Sequence, residues 1–211
     1  MNQILFSKYE NAKNIEKNNK KVFKLLFYIS IILIFCCSAY FLYSSHITSK
    51  KERLSKNLIN NFNLERLYAE KENSINFLLD DSTTFSVVGI IQIPKINIEY
   101  PILSHINDEL LKIAPCKFYG PLPNTEGNMC IAGHNYDDNR FFSNLNELNI
   151  GDIINIYDLN NKLISYKTYD KFEISKTDTT CTSQNTNGKK EITLITCNNF
   201  NGNRLIIKAT E

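Results

Sequence analysis

The run LLFYISIILIFCCSAYFLY, residues 25–43, carries no charged side chain and constrains the fold of this chain more than any other feature. About 20 apolar residues in a helix cross the hydrocarbon core of a bilayer, which is about 30 Å thick. A cleaved signal peptide is the alternative, but its apolar core would be shorter and a small-residue cleavage site would follow. Here the apolar residues continue through Phe41-Leu42-Tyr43. We therefore predict an uncleaved transmembrane anchor over residues 25–43.

Basic residues flank this run on both sides, with a modest excess on the N-terminal side. The positive-inside rule then favours a cytoplasmic tail over residues 1–24. Everything that could fold lies after the run, so we predict a single-pass membrane protein whose folded domain is extracellular.

Residues 44–82 are polar and charged, with Leu54, Leu58 and Phe62 recurring at four-residue spacing. This spacing indicates a weakly amphipathic helix. We interpret the region as a juxtamembrane stalk, with a helix or helix pair packed against the domain as the alternative.

Residues 83–211 contain short β-rich segments separated by turn residues, and one helical patch, NDELLKIA. The segments are SVVGIIQI, INIEYPI, NMCIAGH, DIINIYDL, LISYKTYDKFEI, EITLITC and RLIIKAT. Many short strands at this spacing favour a closed barrel or a sandwich over βαβ units. The net charge is +2 and the domain has no cluster of basic residues, so nucleic-acid binding is not expected.

The last two segments place a cysteine near an arginine. Strand alternation puts Thr193, Ile195 and Cys197 on one face. If Asn201-Gly202 forms a two-residue hairpin turn, Asn199 lies opposite Arg204. Arg204 would then be a diagonal neighbour of Cys197, with Cβ atoms roughly 7–8 Å apart.

A cysteine attacks a carbonyl as the thiolate, and histidine is its usual partner. His134 follows an apolar strand and a glycine, where a barrel presents side chains at its rim. His105 lies in what resembles a surface turn, and His46 lies next to the membrane. We therefore select His134 as the partner of Cys197.

The other cysteines leave alternatives open. Cys36 and Cys37 lie within the apolar run and are interpreted as small apolar residues. An extracellular domain permits disulfides, but we favour free thiols, with Cys116–Cys130 and Cys181–Cys197 pairs as the alternatives.

Three motifs resemble the sortase family, membrane-anchored cysteine transpeptidases of Gram-positive bacteria. They are GIIQIPKINIEYPIL, GPLPNTEGNMCIAGHNYDDNRFFSNLNELNIGDIINI and TLITCNNFNGNRLIIKATE, in family order, and the resemblance covers about residues 86–211. It implies a mainly β fold, a closed barrel of about eight strands with short helices.

The resemblance also implies roles for individual residues. Cys197 matches the nucleophile, His134 the general acid and base, and Arg204 the arginine that stabilises substrate and oxyanion. Thr196, Ile195 and Asn135 are expected to bind substrate. The implied reaction is that of a thiol peptidase: it cleaves an LPxTG-like sorting signal of secreted proteins through a thioester and transfers them to a cell-wall precursor or another amine.

Departures from subclass patterns favour a class A-, D- or E-like enzyme. The short connection between Lys176 and Lys190 leaves no room for the long helix of class B, and no DPW-type lid of class C precedes the domain. No metal or cofactor is expected. Calcium binding by loop carboxylates is a weaker alternative, and its candidates are Glu126, Asp137, Asp138 and Asp178.

Two further functions remain as alternatives. A thiol hydrolase with the same cysteine and histidine would release free acid whatever amine is present. An inactive, membrane-tethered module would bind peptide in the groove without reacting.

Overall fold

A computed structural model describes residues 2–68, 76–78, 84–199 and 201–211 of the 211-residue chain. The chain divides into two compact units, one up to Lys50 and one from Lys51 onward. Parts of the predicted stalk, residues 69–75 and 79–82, lie outside the described residues, as do the predicted domain start at residue 83 and Phe200 of the predicted hairpin.

The N-terminal unit is helical. Helix α1 spans Asn2–Tyr68, and its first part contains the apolar run. Within the described residues, one helical stretch, Lys21–Phe62, is long and apolar enough to cross a membrane. The large apolar side chains of the run are exposed.

The second unit is built on eight strands that close into a barrel, as the sequence predicts. The barrel strands follow one another in the order β2-β3-β4-β5-β8-β9-β7-β6, and β6 pairs with β2 to close the sheet. Short β1, Asn76–Leu78, pairs with the start of β2 outside this ring. The strand bounds are β2 Thr84–Ile93, β3 Ile98–Leu103, β4 Cys116–Tyr119, β5 Gly127–Ala132, β6 Ile153–Asp158, β7 Leu163–Ile174, β8 Lys190–Cys197 and β9 Arg204–Thr210.

Short helical turns connect the strands. Helix α2, Asp108–Leu111, falls within the predicted patch and is capped by Asn107, whose side chain accepts a hydrogen bond from the amide of Leu110. Three-residue 3-10 helices span Pro94–Ile96, Leu145–Glu147 and Thr180–Thr182. The 3-10 helix Thr180–Thr182 is the helical segment between β7 and β8. Its short length agrees with the expectation that this connection has no room for the long helix of class B.

The core has two parts. The first fills the barrel with side chains from alternate strand positions, such as Ile164 and Tyr166 of β7. The second lies outside the ring, where Leu58 and Phe62 of α1 pack with α2 and with the outer face of β2. The amphipathic spacing in the sequence thus corresponds to a helix packed on the barrel through its apolar side.

One sequence expectation about the last hairpin is wrong. Cys197 pairs directly with Arg204, not diagonally, and Asn199 is not opposite Arg204. The amide of Asn198 donates to the carbonyl of Asn203, so the loop is longer than a two-residue Asn-Gly turn. The longer loop moves the register of β9 along β8 and brings the arginine closer to the sulfur.

Candidate active site

The site forms where two parallel strands end at the same edge of the barrel. Strands β5 and β8 run parallel, with Ala132 beside Ile195, and the amide of Gly133 continues the ladder by donating to the carbonyl of Ile195. His134, just after the end of β5, and Cys197, the last residue of β8, therefore lie at adjacent strand ends. The parallel pairing explains how residues far apart in sequence reach one place.

Gly133 is required by close packing at this point. A Cβ built on Gly133 would lie 2.7 Å from Cδ2 of Phe142, whose ring is fully buried. The amide of Phe142 also donates to the carbonyl of His134, which folds the histidine loop back onto the strand. The Gly-His sequence thus lets the chain turn tightly over a core aromatic ring.

Two side chains join the histidine loop to the cysteine strand. The hydroxyl of Thr196 donates to the carbonyl of Gly133 at 2.8 Å, and Thr196 is only 2% exposed. The side-chain amide of Asn135 donates to the carbonyl of Cys197 at 2.7 Å. These bonds fix the backbone of the two strand ends relative to each other.

Arg204 lies against the sulfur of Cys197. Its Nη1 is 3.0 Å from Sγ, in a partly buried setting. A cation next to a cysteine sulfur stabilises the thiolate over the thiol, and the thiolate is the nucleophilic form. This contact supplies the electrostatic setting that a cysteine nucleophile needs.

The other three cysteines of the barrel unit lack this setting. All are buried, and all six cysteines of the chain are free thiols, so neither of the possible disulfides is formed in this structure. Burial raises the pKa of both Cys116 and Cys130 to about 12. Burial, followed by the charge of Asp178, also raises the pKa of Cys181. Cys197 is the thiol that combines partial exposure with an adjacent cation.

His134 is half-buried beside the same cavity. Burial is the largest influence on its pKa and lowers it below the ordinary value; Asp108 opposes this, and Lys112 and Arg140 add to it. The imidazole is therefore neutral near pH 7 and can accept a proton from a thiol.

A cavity of about 310 Å³ brings the three predicted catalytic side chains together: Cys197, His134 and Arg204 all line it. Ile195 and Thr196 also line it, although the hydroxyl of Thr196 is committed to Gly133. Asn135 is not among the lining residues, and its amide is used on the backbone of Cys197. His105 bonds Ser104 on the surface and does not line the cavity.

The rest of the cavity wall was not identified from the sequence. Its apolar side comes from Ile106, Leu111, Phe118 and Ile174, and its polar side from the segment after β7, which contributes Lys176, Asp178, Thr179 and Thr182. Exposed Phe118 lies on β4, a strand that the sequence did not reveal. These residues come from separate segments, so no local pattern marks them as one wall.

Two of the four carboxylates considered for calcium contact protein partners in the structure. Asp138 pairs with Arg140 at 2.8 Å, and Asp178 accepts a hydrogen bond from the amide of Thr180. Within the described ranges, no group of three or more His, Cys, Asp or Glu side chains is placed to hold a metal ion.

Comparisons with known proteins identify the family that the barrel resembles. A family model described as the sortase domain matches residues 91–211. Sortase A of Bacillus anthracis is 32% identical over 118 residues, which cover 53% of this chain and 52% of that relative. The matched part thus spans about half the length of the curated relative.

Solved structures show the same fold. A Clostridium perfringens sortase D5 transpeptidase superposes with a TM-score of 0.64 at 28% identity, covering 75% of this chain and 98% of that one. Sortase A of Corynebacterium diphtheriae has a TM-score of 0.54 at 26% identity, covering 59% and 60%. Class D and class A members among the similar structures are compatible with the expected subclass. With its barrel and more than half of its length matching the family model, the chain belongs to the sortase family.

Proposed function

We propose that this protein is a transpeptidase that cuts a sorting signal with Cys197 and transfers the acyl part to an amine. The observation that carries the proposal is the 3.0 Å contact between Arg204 and the sulfur of Cys197, in a cavity that His134 also lines. Membership of the sortase family supports the same reaction class.

The first half-reaction uses all three side chains. His134 takes the thiol proton, and the sulfur of Cys197 bonds to the carbonyl carbon of the scissile peptide. Arg204 donates to the oxyanion that develops, or holds the peptide backbone in register. The imidazolium then protonates the departing amine as the carbon–nitrogen bond breaks, which leaves a thioester on Cys197.

The second half-reaction decides the product. An amine that enters the cavity attacks the thioester carbon, forms a new amide and returns the sulfur as thiolate, while neutral His134 accepts the proton that the amine loses. Attack by water instead would release a free acid. We propose that the acceptor is the amine of a cell-wall precursor, as the family resemblance implies.

The cavity wall suits a peptide with apolar residues before the scissile bond. Ile195, Ile106 and Phe118 supply an apolar surface close to Cys197. Exposed apolar side chains in a concave site favour apolar ligand groups. This supports an LPxTG-like signal, whose leucine and proline would lie against that surface.

We propose a cytoplasmic N-terminus and an extracellular barrel. The exposed apolar helix supports membrane anchoring, and the lysine excess before residue 25 supports this orientation. Protease added to intact cells should then remove the barrel. A barrel that is protected until the membrane is broken would contradict this topology.

The reaction is tested on the full-length chain in detergent micelles, with a peptide containing Leu-Pro-x-Thr-Gly and with or without a glycine-peptide amine. The expected product is the amide of the added amine, identified by mass spectrometry, with faster turnover when the amine is present. Free acid as the sole product at every amine concentration would favour the hydrolase. Binding of the peptide without turnover would favour the inactive module.

Two variants make the test specific. Cys197→Ala should abolish turnover and leave the thermal unfolding temperature within a few degrees of wild type. Cys130→Ala removes a buried thiol that does not line the cavity, and this control should retain turnover.

A further inference from the structure

The ring of Tyr136 contacts two side chains next to the cavity, the imidazole of His134 and the guanidinium of Arg140. Its centroid lies 5.0 Å from that of the His134 imidazole, with the rings inclined at 44°. The guanidinium carbon of Arg140 lies 4.3 Å from the same Tyr136 centroid. Neither Tyr136 nor Arg140 lines the cavity, and the reaction proposed above assigns no role to either.

Tyr136 is itself held firmly against the core. Its amide donates to the hydroxyl oxygen of Ser143 at 2.9 Å, and that hydroxyl donates to the carbonyl of Arg140. The ring lies 5.6 Å from that of buried Phe141, which makes an edge contact with Tyr100 at 4.9 Å. The tyrosine ring therefore packs against the barrel core through Phe141, and its backbone is bonded to Ser143.

Arg140 is fixed by a carboxylate in the same loop. Its Nε donates to Oδ2 of Asp138 at 2.8 Å, and its side chain is only 16% exposed. Ion pairing and the ring contact together leave the guanidinium little freedom. A chain of contacts thus runs from Asp138 through Arg140 and Tyr136 to the imidazole of His134.

His134 needs such support because its own backbone lies in a loop after β5. An imidazole that must exchange protons with a thiol and then with a leaving amine has to keep one orientation through both steps. Contact with a neighbouring aromatic ring restricts the orientation of the imidazole.

We propose that Tyr136 is a positioning residue that orients the His134 imidazole at the cavity, with Arg140 and Asp138 holding the tyrosine ring in place. The proposal rests on the function proposed above, because it gives Tyr136 a role in the same reaction. The geometry of the contacts is independent of that function, so it can be tested separately.

The test compares Tyr136→Leu, Tyr136→Phe and the control Tyr169→Leu in the full-length chain. Tyr169 also faces a cation, Lys208 at 5.9 Å, but it lies on β7 and does not line the cavity. We expect Tyr136→Leu to lower kcat for the Leu-Pro-x-Thr-Gly peptide about tenfold with little change in KM, from the typical worth of an aromatic contact. Tyr136→Phe keeps the ring and should restore the rate, and Tyr169→Leu should match wild type.

A second readout does not depend on turnover. The imidazole resonances of His134, assigned by their loss in His134→Gln, are titrated by NMR in wild type and in Tyr136→Leu. Losing the ring exposes the imidazole, so its pKa should move back toward the ordinary value. The charged side chains that act on His134 (Asp108, Lys112 and Arg140) and Arg204 in the shared cavity are not substituted in this variant.

Contradictory outcomes are specific. An unchanged kcat together with an unchanged His134 titration in folded Tyr136→Leu would overturn the proposal, as would a loss in Tyr136→Phe equal to that in Tyr136→Leu. If wild type cleaves no peptide, the titration alone decides, which separates this proposal from the proposed function. If Tyr136→Leu is unfolded, Tyr136→Met replaces it and is judged by the same two readouts, because the flexible methionine side chain fills packing gaps and lacks the ring.

Discussion

Cys197 and Arg204 face each other directly across the β8–β9 ladder, with Nη1 of the arginine 3.0 Å from the sulfur. Directly opposed residues of an antiparallel pair hold their Cβ atoms closer than diagonal ones. The pairing lets a long side chain fold back onto the sulfur. The register of the β8–β9 pair therefore brings the guanidinium to the sulfur. Substituting Arg204 is the simplest test of its role.

Arg204→Lys should lower kcat/KM for the peptide by about 10²–10³, the range seen when one oxyanion donor is removed. Lysine keeps the positive charge but loses the planar fork that can donate to sulfur and oxyanion together. Lys208→Gln, a change of a cation on the same strand away from the cavity, is the matched control. Wild-type kinetics in Arg204→Lys would show that charge alone suffices.

Thr196→Val should destabilise the fold by about 1–3 kcal/mol, because the buried carbonyl of Gly133 loses its donor. Urea unfolding measures this change. Thr210→Val is the control: its hydroxyl bonds the carbonyl of Lys190 at a half-exposed position, where water can replace it, so a change below about 0.5 kcal/mol is expected. Equal effects of the two substitutions would contradict the role given to burial.

Gly133→Ala should cost about 1–3 kcal/mol, because its Cβ would overlap the ring of Phe142. The double variant Gly133→Ala/Phe142→Leu makes room for the methyl group. Its destabilisation should be less than the sum of the two single effects, measured by the same unfolding curves. Strict additivity would mean that the methyl group and the ring do not meet.

The pH dependence of stability follows from the lowered pKa of His134. The unfolded state, with an ordinary pKa near 6.5, takes up a proton before the folded state does as the pH falls. Stability is therefore lost from about pH 6.5 down to the lowered native pKa, and is constant below it. The urea midpoint should fall less between pH 8 and pH 5.5 in His134→Gln than in wild type; an identical fall in both would contradict this.

The lowered pKa values of Glu173 and Asp178 act in a separate window. Glu173 is lowered first by Asn201 and Asp178 by the amide of Thr180. Their stabilising contribution is present above the unfolded carboxyl pKa of about 4 and is lost as the pH falls through their lower native values. The histidine measurement above pH 5 is therefore largely free of them.

The barrel was predictable because many short β-rich segments are separated by turn residues, and one of them, β7, alternates apolar and polar residues from Ile164 to Lys167. Strands β1 and β4 were missed, since three or four residues are too few to show a period. The three candidate catalytic side chains, which line one cavity in the structure, could be selected from the sequence because each lies at a strand end or next to one, where motifs are local.

The hairpin register could not be read locally. An Asn-Gly pair normally indicates a two-residue turn. Here Glu173 of β7 accepts hydrogen bonds from the side chains of Asn198 and Asn201 and supports a longer loop. The hydrogen-bond acceptor that supports the longer loop lies on another strand. The sequence of the hairpin alone therefore does not reveal the length of the loop.

Most directly, the account is tested by intact-protein mass spectrometry of the full-length chain mixed with the Leu-Pro-x-Thr-Gly peptide and quenched in acid. We expect an added mass equal to the peptide up to its threonine, mapped by digestion to Cys197 and absent from Cys197→Ala. Turnover that persists in Cys197→Ala, or an adduct that maps to Cys181 instead, would contradict the account.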